Sequence, residues 1–322
     1  MKLLAKIFVS LGLMVASVAV HAQAYPSLKP VKIIVATQTG SASDVLARLV
    51  GDGLSRALNQ TFVIENRGGA GGNIGLNAAA KAAPDGYTLV LGNLGGNIMN
   101  QFLYPSLDFN PEKDFEPIAG IAGIPFVIAV NVDFPAKNLQ ELIAAAKAKP
   151  GSINAALDST SVKVTYAQFS STSGANLFPV SYNGPALAVA DVLSGRVPVI
   201  VETLGAVRQL VSGGKLRALA ITTQSSTELL PGVASVSEQG VPGFGEVTGW
   251  VGLMGPAGMN RDIVNLLNAE VNKILRLPET RQKFLTMGFQ AKFGSPQDFA
   301  KFVLDERARF GPLIKAANLK AE

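Results

Sequence analysis

The chain has no cysteine, one histidine and one tryptophan among its 322 residues. Without cysteine there is no disulfide, no thiolate nucleophile and no sulfur ligand for a metal. The histidine, His21, lies in an N-terminal stretch that reads as removable, so the mature chain has no imidazole either. That excludes Ser–His–Asp and Cys–His nucleophilic catalysis and the usual zinc, iron and copper ligand sets, and neither a metal nor another cofactor is expected. Charge of one sign is also scarce: 28 Lys and Arg stand against 23 Asp and Glu, with no basic stripe or tail, so no nucleic-acid partner is expected.

The start of the chain reads as a targeting segment. MKLLAK gives a basic opening, and residues 7–20 form an apolar run that is short for a membrane span. Val20-His21-Ala22 and Ala22-Gln23-Ala24 both fit a small-x-small cleavage site, so residues 1–24 are expected to be a signal peptide. An N-terminal anchor is the alternative that the short run disfavours. Loss of Lys2 and Lys6 leaves 26 basic against 23 acidic residues, a net charge of +3. No later stretch is long enough to cross a bilayer. An exported chain that is 48% hydrophobic has core enough to dispense with disulfides, and its length suits two lobes.

Strands and helices alternate along the mature chain. VKIIVA (31–36) reads as an apolar strand, DVLARLVGDGLSRALN (44–59) as a helix with Leu46, Leu49, Val50 and Leu54 on one face, and TFVIEN (61–66) as a strand. IGLNAAAKAA (74–83) reads as a helix stopped by Pro84-Asp85-Gly86, and YTLVLGN (87–93) as a third strand. This is the βαβ rhythm of a parallel sheet covered by helices. A second series runs through FVIAVN (126–131), a helix over 138–149, a Ser/Thr-rich segment over 154–174, FPVSYNG (178–184), a helix from Pro185, VPVIVET (197–203), AVRQLVSGG (206–214) and KLRALAITT (215–223). WVGLMGPAG (250–258), a helix over 262–275 and a last helix capped at Ser295-Pro296 close the chain. The pattern predicts an α/β protein of two lobes, each an open sheet. Lobe 1 is expected over 25–126 plus 224–322, with lobe 2, 127–223, inserted.

In open α/β sheets ligands bind outside the carboxyl ends of the strands. Five loops fall there, 37–44, 92–97, 158–163, 181–185 and 202–205, all rich in Ser, Thr, Asn and Gly. The candidate ligand-binding residues are Thr37, Gln38, Thr39, Gly40, Ser41, Ser43 and Asp44 in the first loop and Asn93 in the second. Asp158, Ser159, Thr160, Ser161 and Lys163 follow in the third, then Tyr182, Asn183 and Gly184 in the fourth, and Glu202 and Thr203 in the fifth. The first loop opens a helix, whose unpaired N–H groups and positive dipole end favour an anion, although Ser41 or Ser43 as a plain cap explains the serines equally well. Lys163 near a helix start faces the wrong end of the dipole unless an anion is close; a solvated lysine is the plainer reading. Asp44, Asp158 and Glu202 stand near strand ends, where each could serve as an acid or base, take a ligand amine or hydroxyl, or simply complete a turn.

Other motifs fail on spacing. In RGGAGGNIG (67–75) the sixth place counted from Gly69 is Ile74, so G-x-G-x-x-G is not met, and the glycines are read as allowing close backbone packing at a helix start. There is no Walker sequence and no G-x-S-x-G. Ser212-Gly213-Gly214-Lys215 formally matches S-x-x-K but lies at a helix end, where paired glycines favour a turn.

Several motifs carry a resemblance over essentially the whole mature chain: Tyr25-Pro26-Ser27, VIENRGGAGGNIG, AAKAAPDGYTLVLG, DFEPIAGIA, LQELIAAAKAKPG, SGGKLRALAIT and GWVGLMGPAG. Their order is similar to that of the solute receptors of tripartite tricarboxylate transporters, the Bug-type receptors. That resemblance implies a two-lobed periplasmic binding protein, not an enzyme, that closes around a small carboxylate. Backbone N–H groups, hydroxyls and ordered water would hold the solute, which then passes to membrane permease subunits. A monomer in the periplasm is expected. The first loop departs from the family's P-F-x-x-G-G-x-x-D: only Gly40 and Asp44 match. Lys163 stands near the place of the family's Ser-His pair, and Glu202 stands where the family often has Asp. Di- and tricarboxylates, acidic amino acids and aromatic acids remain open as solutes. A receptor that serves a sensor, or an exported hydrolase using paired carboxylates, are the other functions the sequence allows.

Overall fold

A computed structural model describes residues 25–316. The expected signal segment lies outside the described residues. The first βαβ series is β1 (Val31–Val35), α1 (Ala42–Leu58), β2 (Phe62–Asn66), α2 (Asn73–Ala80) and β3 (Thr88–Asn93). A π-helical turn, Gly95–Met99, then runs into α3 (Asn100–Leu103), and β4 spans Phe115–Asn131. The second series is α4 (Leu139–Ala148), β5 (Asn154–Leu157), α5 (Thr160–Ser173), β6 (Phe178–Ser181), α6 (Pro185–Leu193), β7 (Val199–Thr203), α7 (Leu204–Ser212) and β8 (Leu216–Ile221). The chain closes with β9 (Thr248–Pro256), α8 (Arg261–Arg276), α9 (Pro278–Met287), β10 (Gln290–Ala291) and α10 (Pro296–Ala316).

Local sequence explains where the helices begin. Side chains of Ser41, Asn138, Ser159 and Asn260 accept from backbone N–H groups two or three residues on, and Pro185 and Pro278 occupy first turns. β1 is apolar and β-branched because helices cover both of its faces; Val31, Ile33, Ile34 and Val35 are all buried.

Strand order is β2-β1-β3-β9-β4-β7-β5-β6, with β8 and β10 also on β4. β1 pairs in parallel with β2 and β3, and β5 pairs in parallel with β6 and β7. β9 and β4 are antiparallel to their neighbours, so each lobe's sheet is mixed, not purely parallel. The sequence reading began a strand at Phe126, whereas β4 starts at Phe115 and runs for 17 residues. Glycines 120 and 123 and prolines 117 and 125 hide its first half, which is bulged twice against β9. Up to Pro125 the strand pairs with β9; from Phe126 onward it pairs with β7 and β8. The two expected sheets therefore share one central strand.

The chain returns from β8 to β9 beside this switch. Thr222 is fully buried there. Its Oγ1 accepts from the Phe126 N–H at 3.0 Å and donates to the Val247 carbonyl at 2.6 Å. Its own N–H and C=O bond Phe126 and Val247 at 3.0 and 2.9 Å. One side chain thus ties the outgoing strand to the returning one. The largest apolar core runs through this junction, from Ile34 and Val90 on one side through Phe126 and Trp250 to Val201 and Phe169 on the other.

Candidate functional site

The five strand-end loops meet between the lobes around two adjoining cavities of about 450 and 270 Å³, which share Thr37, Ser41, Asn93, Asp158, Ser159, Ser161 and Pro185. Gly40, Ser43, Glu202 and Thr203 line the larger cavity. Gln38, Thr160, Tyr182, Asn183 and Gly184 line the smaller. Thr39, Asp44 and Lys163 line neither.

The first loop is built around Asp44, which is 3% exposed and points back into the loop. Its carboxylate accepts from the Gly40 N–H at 2.9 Å and from Arg48 Nη2 at 2.9 Å. Burial pushes this carboxyl up, but the hydrogen bonds from Arg48, Gly40 and Asn66 outweigh that and hold it below the usual carboxylate range. Asp44 is a brace for the loop. Thr37 and Ser41 share a hydroxyl hydrogen bond of 2.7 Å, and Ser41 Oγ caps α1 by accepting from Asp44 N at 3.3 Å.

The glycine-rich stretch does two jobs, of which sequence reasoning found one. Gly72, with φ at +96°, packs so that a Cβ would lie 2.9 Å from the Ala36 carbonyl oxygen. That is the close backbone approach expected of it. The same stretch, Gly68–Gly72 by position, also forms a wall of the smaller cavity. Opposite it, Thr160 and Ser161 start α5. A Cβ on Gly95 would lie 3.1 Å from Ser161 Oγ, and one on Gly71 would lie 3.3 Å from Thr160 Oγ1. The lobes therefore touch at this point, across small residues.

The charged part of the site faces the larger cavity. Glu202, at the end of β7, is 2% exposed. Its Oε1 accepts from Thr203 N at 2.6 Å and from Thr203 Oγ1 at 2.8 Å. Glu202 Oε2 and Asp158 Oδ1 are buried and meet no donor among the described residues. The two carboxyls contact each other. Burial raises both, Glu202 well above the usual carboxylate range, where the Asp158 charge pushes it higher still. The two acids therefore disfavour being ionised together, and Glu202 is the one held further toward its protonated form.

Arg208, in the second turn of α7, lines the same cavity, and its Nη1 is buried without an acceptor among the described residues. Arg208 is absent from the sequence-based candidates, which lie at strand ends, because it stands inside a helix. The available signal was composition: Glu202 and Arg208 are the only charged residues between positions 199 and 212. Ile124, Phe126, Trp250 and Phe289 supply apolar walls. Tyr182 contributes its ring, while its hydroxyl donates to Asp191 at 2.8 Å. The described residues hold no cluster of three or more His, Cys, Asp or Glu suited to a metal.

A cleft between two α/β lobes, walled by loops from both, defines the class: a two-lobed solute-binding protein of the periplasmic type. The chain belongs to the tripartite tricarboxylate transporter receptor family, whose model matches residues 46–319. It is 32% identical over 304 residues to the protein BugT of Bordetella pertussis, a match covering 94% of this chain and 93% of BugT. A Rhodopseudomonas palustris protein solved with adipate superposes with a TM-score of 0.87 at 31% identity, covering 92% of this chain and 99% of that one. MatC of the same organism, solved with bound malate, superposes at 0.83 with 27% identity, covering 89% and 99%.

Proposed function

We propose that this chain is an exported receptor that closes its lobes on a small carboxylate-bearing solute. It then delivers that solute to the permease subunits of a tripartite tricarboxylate-type transporter. The observation that carries this reading is the meeting of strand-end loops rich in hydroxyl-bearing residues, from both lobes, around one pair of adjoining cavities. The adipate and malate bound by two structural neighbours support the solute class. The lobes are assigned to 25–126 plus 224–322 and to 127–223, supported by the switch of β4 from β9 to β7 and β8. Periplasmic residence, with residues 1–24 removed, rests on the leader sequence and the family; none of the described helices is long and apolar enough to cross a membrane.

The test is thermal unfolding of the protein from Tyr25 onward, stripped of any carried-over solute, against adipate, malate and a wider panel of carboxylates. A solute at 100 times its Kd adds about 2.7 kcal/mol of stability, a clear upward shift in Tm. No shift with any carboxylate sinks the reading. One observation favours a second reading: a buried pair of carboxyls, both raised by burial and Glu202 the more so, is also what acid–base hydrolysis uses. Recovery of a bound ester or glycoside as its hydrolysis products would support that reading. Recovery unchanged returns the pair to binding.

A further inference from the structure

A receptor for dianions has no evident use for two acids in its cleft. Among the charged residues, Asp158, Glu202 and Arg208 line the larger cavity, and of these only Asp158 also lines the smaller; Tyr182 is the other titratable group there. Lys163 on α5 lines neither cavity, and Asp44 is engaged by Arg48. Four polar atoms of residues lining the larger cavity are buried without a partner among the described residues: Asp158 Oδ1 and Glu202 Oε2, which accept, and Arg208 Nη1 and Trp250 Nε1, which donate. Glu202 is 98% withdrawn from solvent by its 2% exposure, so water does not easily satisfy it. Buried polar atoms of this kind are matched by something, and here the same cavity presents both acceptors and donors in want of a partner.

We propose that the solute is an amino-bearing carboxylate, whose ammonium group sits between Asp158 and Glu202 and whose carboxylate pairs with Arg208. This inference rests on the receptor reading and narrows its solute class. Three N–H donors on an ammonium supply what both orphan oxygens lack, and its charge relieves the repulsion that the Asp158 charge exerts on Glu202. The proton that the raised Glu202 favours leaves to solvent as the ammonium arrives, and both carboxylates end ionised. A di-acid of the same length would instead set a carboxylate against Asp158.

The experiment is titration calorimetry on the stripped protein near neutral pH with matched pairs: δ-aminovalerate with adipate, γ-aminobutyrate with glutarate, and β-alanine with succinate. Each runs in two buffers of different ionisation enthalpy. The amino member of at least one pair is expected to bind about tenfold or more tightly than its di-acid, with a net release of protons that the di-acid does not show. Glu202→Gln, which keeps the shape, should abolish the proton release and erase most of the preference. Arg208→Gln should weaken both members of that pair. A di-acid binding equally or more tightly in every pair overturns this inference and leaves the receptor reading standing. Tighter amino binding without proton release overturns the placement at Asp158 and Glu202. Binding of no member of any pair, with no other carboxylate binding, overturns both readings together.

Discussion

Glu202 and Asp44 are both buried carboxyls near strand ends, yet their surroundings drive them in opposite directions. Each therefore leaves its own mark on stability against pH. Glu202 is raised by burial and by Asp158, so the folded state keeps a proton that the unfolded chain releases above its ordinary value of 4.5. Its contribution is complete below that value and is lost as pH rises through the raised folded value. Asp44 is lowered, so its contribution is present above 3.8 and fails as pH falls below it. Chemical unfolding across pH 5 to 8 should show the empty wild-type protein losing stability relative to Glu202→Gln as pH rises; parallel curves would show that the pair holds no proton. Thr222 gives a second residue-scale expectation. Thr222→Val keeps the volume but leaves the Phe126 N–H and the Val247 carbonyl each short of one bond, which should cost about 1–3 kcal/mol in urea unfolding. A cost near zero would mean the crossing strands hold without it.

At the scale of elements, the loops and helix starts at the cleft work through small residues. Gly95→Ala places a methyl 3.1 Å from Ser161 Oγ, tight enough to hold the lobes slightly apart. The expected result is weaker solute binding, by about 1 kcal/mol or fivefold, with little change in unfolding of the empty protein. Equal losses in both would place the damage within one lobe. Ser41→Ala should cost about 1 kcal/mol by uncapping α1. The elements were legible where their signals were local: capping serines, proline in first turns, apolar runs such as VKIIV. The first half of β4 was not, because FEPIAGIAGIP carries the glycine and proline that normally mark loops, and only its long pairing with β9 makes it a strand. The same limit held for the site. Asp158 and Glu202 stood out singly, but nothing in a separation of 44 positions says that two carboxyls touch; that follows from β5 and β7 lying side by side. Arg208 was hidden by its place in an amphipathic helix, where an arginine ordinarily faces water.

Over the whole molecule, the chain passes between the lobes twice, through β4 and through the segment that returns from β8 to β9, and Thr222 ties these passages together. These two passages are the described chain links between the lobes, which also meet across the cleft loops and where Gly205 of α7 packs against the Met287 carbonyl at the end of α9. The sharing of β4 has a further consequence for how such receptors diversify. A lobe that owned its sheet outright could be exchanged between relatives like a cartridge, bringing a new solute preference with it. Here a chimaera cut at Phe126 separates the far sheet's outer strands from the strand that orders them, so the recombined halves must agree on β4 before they agree on anything in the cleft. Solute choice in this architecture is therefore easier to change by point substitution at loop ends than by recombination.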